Sequence, residues 1–82
     1  MDKVLVTVIV PSIEKKYDIL VPANKRIKTL ISLLNKSINE LSDFNLPIKK
    51  NMILLSEKGQ KYDLNQNIKE AGIKNGTKLI LL

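Results

Sequence analysis

The sequence predicts an α+β fold: a single domain, residues 1–82, in which a mixed sheet of four to five strands packs on one helix at about residues 25–41. Three observations lead there. From Arg26 to Leu41 the apolar residues Ile27, Leu30, Ile31, Leu34, Ile38 and Leu41 recur at the i, i+3, i+4, i+7 spacing of one helix face. Segments before and after this stretch alternate with period two and are rich in Val, Ile and Leu, which marks strands. An amphipathic helix cannot bury its stripe alone, so the strands are its natural partner.

The composition sets further bounds. An apolar fraction of 44% suits a globular chain and argues against disorder. Tyr17, Phe44 and Tyr62 are the only aromatics, so Ile, Leu and Val must fill the core. The absence of Cys excludes disulfides, thiolate nucleophiles and Cys-ligated metals. The absence of His removes the commonest general base and metal ligand. No apolar run approaches the roughly 20 residues of a membrane helix, and the start, MDKVLVTVIV, lacks a basic run and a cleavage site. The expectation is a soluble cytoplasmic protein without cofactor. The net charge of +6 comes from thirteen scattered Lys and one Arg against eight acids. A solubilising surface explains it, since Lys without Arg is poor at bidentate base or phosphate recognition.

In chain order, Lys3–Val10 is the first strand, with Val4, Val6, Val8 and Val10 inward. Pro11 ends it. Lys16–Val21 is the second strand, with Tyr17, Ile19 and Val21 on one side, and the two form a hairpin closed by Pro22. Asn24 is the expected helix N-cap. Lys25, Arg26 and Lys28 oppose the helix dipole there. Ser42, Asp43 and Asn45 mark the helix exit, and Phe44 and Leu46 are expected to fold back on the core. Met52–Leu55 is the third strand. A run of four apolar residues hides its period, and we place Ile53 and Leu55 inward. Ser56–Gly59 is a turn with positive φ at Gly59, and Gln60–Tyr62 is a very short fourth strand. A one-turn helical segment over 63–73 is anchored by Leu64, Ile68 and Ile73, with Gly72 as its αL stop. Asn75-Gly76 is a turn, and Thr77–Leu82 is the last strand, with Leu79 and Leu81 inward.

The stretch GQKYDLNQNIKEAGIKNGTKLILL, from Gly59 to Leu82, resembles the second half of ubiquitin-like domains through Ile68, Gly72-Ile73 and Asn75-Gly76. The run Tyr17-Asp18-Ile19-Leu20-Val21-Pro22-Ala23, with Ile27-Lys28-Thr29-Leu30-Ile31 after it, is similar to the YukD/EsaB group. These are stand-alone ubiquitin-like proteins encoded with bacterial type VII (WXG-protein) secretion systems. The resemblance implies the β-grasp fold, with the first and last strands parallel and central. It also implies an accessory or regulatory role in secretion, exercised by protein–protein contact. The partners would be membrane-associated components of the machinery, and the protein would sit at the inner face of the membrane through them. A ubiquitin-type modifier or sulfur carrier needs a flexible Gly-Gly tail to reach an adenylating site. This sequence has no Gly after Gly76 and stops at Leu82, so we expect neither conjugation nor sulfur transfer.

The sequence offers two candidate surfaces. With the register above, the outer sheet face carries Leu5, Ile9, Leu20, Leu54 (with Met52 beside it), Ile80 and Leu82, ringed by Lys3, Lys16 and Lys78. Apolar residues ringed by charge suggest a protein-docking patch. This face is the usual partner surface of ubiquitin-like domains, and Leu54 and Ile80 are the best positional matches. The second candidate is a basic cluster of Lys15, Lys16, Lys25, Arg26 and Lys28 near the hairpin tip and helix start. It has no Gly-rich loop to cradle a phosphate. An enzyme is not expected: the eight acids show no paired pattern on one element, and a chain this short has little room for a small-molecule pocket. The alternative to the secretion reading is a nucleic-acid-binding β-grasp domain using the lysines, whose binding would fall steeply with salt. Whether the chain forms a homodimer, through its outer face or an edge strand, stays open.

Overall fold

A computed structural model describes residues 2–43 and 52–82. Strand β1 (Lys3–Val10) turns through a short 3-10 segment (Pro11–Ile13) into β2 (Lys15–Pro22), and helix α1 (Ile27–Leu41) follows. Strands β3 (Leu54–Ser56) and β4 (Lys78–Leu81) complete a four-stranded sheet in the order β2-β1-β4-β3. β1 and β4 are central and parallel, and both outer pairings are antiparallel. Phe44, Leu46, Ile48 and their neighbours lie outside the described residues.

The alternation of β1 is observed as expected. Val6, Val8 and Val10 are fully buried against Ile27, Leu30, Leu34 and Ile38 of the helix, and Leu79 and Leu81 of β4 face the same core. Burying a side chain of this size contributes about 1.5–3 kcal/mol, so these few aliphatic residues hold the domain together. β2 runs one residue further at each end than the alternation predicts, and Pro22 pairs with Lys3. The backbone of Ala23 donates to Asp2 (3.0 Å), so the hydrogen-bonded pairs of this ladder fall on the odd residues of β2. The missing N–H of Pro22 therefore faces the outer edge, where no ladder bond is lost among the described residues.

The helix start departs from expectation. Arg26, not Asn24, occupies the N-cap position, and no side chain caps it. Two backbone carbonyls take that role: Ile27 N–H donates to Gln66 (2.9 Å) and Lys28 N–H to Leu64 (3.1 Å). In return Ile68 N–H donates to Lys25 (2.9 Å) and Lys69 N–H to Ala23 (3.3 Å). The carbonyl oxygens satisfy orphan N–H groups and set negative partial charge among Lys25, Arg26 and Lys28. The loop that does this is itself locked by a capping box. Asn67 Oδ1 accepts from Glu70 N–H (2.7 Å), and Glu70 Oε1 accepts from Asn67 N–H (3.2 Å). Gly72 (φ +79°) ends the turn as expected. Ile68 and Ile73 are buried, but Leu64 is 51% exposed: its carbonyl, not its side chain, is the anchor. Leu41, expected on the buried face, is 60% exposed, at the last position of the helix.

β3 reverses the expected register. Leu54 pairs with Leu81, whose side chain is fully buried, so Leu54 faces the core and is only 2% exposed. Leu55 pairs with Ile80 on the outer face, and Ile53 exchanges two 2.9 Å backbone bonds with Leu82 there. The expected strand at Gln60–Tyr62 is a single bridge, Leu55 to Lys61.

Candidate protein-docking face

The register places the odd residues of β1, the even residues of β2, and Lys78, Ile80 and Leu55 on one open face. Side chains on paired residues share a face, so the face can be laid out in rows. One row is Leu20–Leu5. The next is Asp18–Thr7–Lys78, and the next is Lys16–Ile9–Ile80–Leu55. Leu82 and Ile53 extend the apolar side beyond it.

The expected single patch is thus two. Leu5 (46% exposed) and Leu20 (57%) form one apolar pair. Half-buried Ile9, Ile80 and Leu55, with exposed Ile53 and Leu82, form the other. The polar row between them is fixed: Thr7 Oγ1 donates to Asp18 Oδ1 at 2.7 Å. Leu54 is removed from the patch by its burial, and Ile53 and Leu55 replace it. Sequence alone missed these two because four consecutive apolar residues carry no period. Knowing that Leu81 is inward and pairs with Leu54 settles them.

The loop before β4 is bound to this face's β1 strand. Leu5 N–H donates to Asn75 Oδ1 (2.7 Å), and Gly76 N–H donates to the Leu5 carbonyl (2.8 Å). Gly76 has φ +88°, as the turn signal requires. The Leu5 side chain is therefore presented from a backbone held on both sides.

The basic cluster is not brought together. Lys15 and Lys16 stand at the hairpin-tip end of β2, while Lys25, Arg26 and Lys28 follow its other end. The six extended residues Tyr17–Pro22 stand between the two groups, a run of roughly 20 Å. All five side chains are exposed. Among the described residues no group of three acids, His or Cys could hold a metal ion. An open groove of about 550 Å³ between the hairpin and the helix end is lined by Ile13, Lys15, Tyr17, Leu41, Ser42 and Asp43. Among the described residues Asp43 is its single carboxylate. No described helix is long and apolar enough to cross a membrane.

One helix on a mixed four-stranded sheet with parallel central strands is the ubiquitin-like β-grasp fold, and solved structures agree. The chain is similar to the EccD5 ubiquitin-like domain from Mycobacterium xenopi, with a TM-score of 0.84 and 18% identity, covering 100% of this chain and 94% of that one. It is similar to the ubiquitin-like domain of the type VII secretion system protein ECCD1 from Mycobacterium tuberculosis, with a TM-score of 0.79 and 18% identity, covering 100% and 99%. A chain of a MycP5-free ESX-5 inner membrane complex matches with a TM-score of 0.75 and 19% identity, covering all of this chain and 21% of that one. No protein-family model and no curated protein matches the chain. Likeness at this identity establishes the fold. Its neighbours include type VII secretion domains, the system to which the YukD/EsaB resemblance points.

Proposed function

We propose that this chain is an accessory or regulatory ubiquitin-like protein of a bacterial type VII secretion system. In this reading it acts by non-covalent protein–protein contact through the outer face of its sheet. The carrying observation is that the whole chain matches a type VII secretion domain with a TM-score of 0.79, on a sheet whose outer face exposes Leu5 and Leu20. Its partners are protein components of the secretion machinery, and through them it sits at the inner face of the membrane. No small molecule or cofactor takes part.

The test is affinity capture of the tagged protein from its native cell, followed by mass spectrometry. Leu5→Asp and Leu82→Asp are captured in parallel, one from each apolar patch, after circular dichroism confirms that both are folded. The expected outcome is recovery of membrane-associated secretion proteins with the unaltered chain and their loss with at least one variant. Recovery of ribosomal or RNA-associated proteins that disappears on nuclease treatment would instead favour the lysine-dependent nucleic-acid reading.

A further inference from the structure

The two edges of the sheet are not equivalent. On the β3 side, Leu55 bridges to Lys61 and Ser56 N–H donates to the Gln60 carbonyl (2.8 Å), so the chain covers that edge itself. On the β2 side, nothing among the described residues pairs with the outer edge. The odd residues of β2 bond to β1, which leaves the N–H and C=O groups of Lys16, Asp18 and Leu20 pointing outward. Such an edge is a template for another strand.

We propose that this edge pairs antiparallel with β2 of a second copy of the chain, with the two-fold axis at Tyr17. Three symmetric registers, with the axis at Tyr17, Asp18 or Ile19, set at least two of Lys16, Asp18 and Leu20 opposite one another, and the side chains separate them; the Tyr17 axis leaves Leu20 beyond the paired residues, opposite Glu14. An axis at Asp18 sets the two Asp18 carboxylates opposite one another, which repels. An axis at Ile19 sets Lys16 opposite Pro22, which has no N–H to give, and leaves Asp18 opposite Leu20. An axis at Tyr17 sets Lys16 opposite Asp18 of the second copy, and does so twice.

In that register the Lys16 and Asp18 pairs are the hydrogen-bonded ones, so each ion pair is added to two backbone bonds. The Asp18 carboxylate is already oriented by Thr7 through Oδ1, leaving Oδ2 available to a cation at the edge. On the opposite face the two half-buried Tyr17 rings meet across a non-hydrogen-bonded pair, the closer kind, where aromatic pairs are favoured. Lysines on an edge ordinarily repel foreign strands. Here the acid two residues after Lys16 makes the edge complementary to itself. The result is one continuous eight-stranded sheet. This inference does not rest on the secretion reading.

The absence of Cys allows a direct test on the full chain. Tyr17→Cys, Asp18→Cys and Ile19→Cys each carry one thiol, and each reports one axis by disulfide-linked dimer formation under mild oxidation. Leu33→Cys, at a 39% exposed helix position, measures random collision. Tyr17→Cys is expected to link well above the Leu33→Cys rate, and Asp18→Cys and Ile19→Cys to link more slowly than Tyr17→Cys. Sedimentation of the unaltered chain is expected to show a concentration-dependent dimer that weakens with salt. Lys16→Asp should abolish that dimer, and the exchange Lys16→Asp with Asp18→Lys should restore it while the monomer fold is unchanged. A chain that sediments as monomer at every concentration overturns the proposal. So does fastest linking at position 18 or 19, or a dimer indifferent to Lys16→Asp.

Discussion

β2 runs eight residues along one edge of the sheet, and β3 runs three along the other. Each contributes a leucine in an apolar neighbourhood, yet Leu20 is 57% exposed and Leu54 is 2% exposed. The short strand has a covered edge and a buried side chain. The long strand has an outer edge that is unpaired among the described residues, and an exposed leucine. The two leucines differ in face as well as in edge: Val21, next to Leu20 on β2, points inward and is as buried as Leu54. The β3 side is held by long-range closure of the chain on itself, whereas β2 is held by its hairpin and leaves a row of backbone groups for a partner.

The sharpest way to break this contrast is to truncate both leucines. Leu54→Ala removes a fully packed side chain and is expected to destabilise the domain by about 2–5 kcal/mol in denaturant titration. Leu20→Ala should stay within about 0.5 kcal/mol. Equal effects would refute the opposite placement of the two residues. A smaller effect is expected at the turn that covers the β3 edge. Gly59 has φ +84° with nothing within 4 Å of an added Cβ, so Gly59→Ala pays only the left-handed backbone penalty. The expected loss is about 1–2 kcal/mol, seen as a lower unfolding midpoint. The smallest is a pH effect on the same side. Partial burial raises the Tyr62 phenol above its ordinary value of 10.0. The folded chain then holds that proton more tightly than the unfolded chain. Tyr62 therefore favours folding in its protonated form, and this contribution is lost as pH rises from 10.0 through the raised value. Tyr62→Phe should flatten the decline in stability over that window. A slope unchanged by the substitution would assign the decline to other groups.

The parts of the fold legible in the sequence are those with a clear period. The β1 valines, the helix stripe from Ile27 to Ile38, and Leu79 and Leu81 of β4 all point where their spacing says. The turn glycines at 59, 72 and 76 are also legible, because positive φ leaves few other residues. Legibility failed where the period vanished or the partner was distant. Met52–Leu55 has no alternation to read. Asn24 looked like a cap, but carbonyls forty residues later fill that role. The Asn67–Glu70 box was readable from its N-x-x-E spacing and was missed. Of the candidate patch, Leu5, Ile9, Leu20, Ile80 and Leu82 lie on the outer face, Leu54 does not, and the basic residues divide between two ends of β2.

By itself, the sequence determined which segments become strands and helix, because backbone sterics and the burial of one apolar face act over neighbouring residues. It also determined that Ile, Leu and Val, without Cys or His, would have to make the core. Only the tertiary structure decided which way β3 faces, what caps the helix, that the outer face carries two apolar patches divided by the Thr7–Asp18 bond, and which edge stays open. Those outcomes depend on pairing between residues far apart in the chain. A strand's facing and an edge's coverage are properties of its neighbour, and no local pattern contains the neighbour.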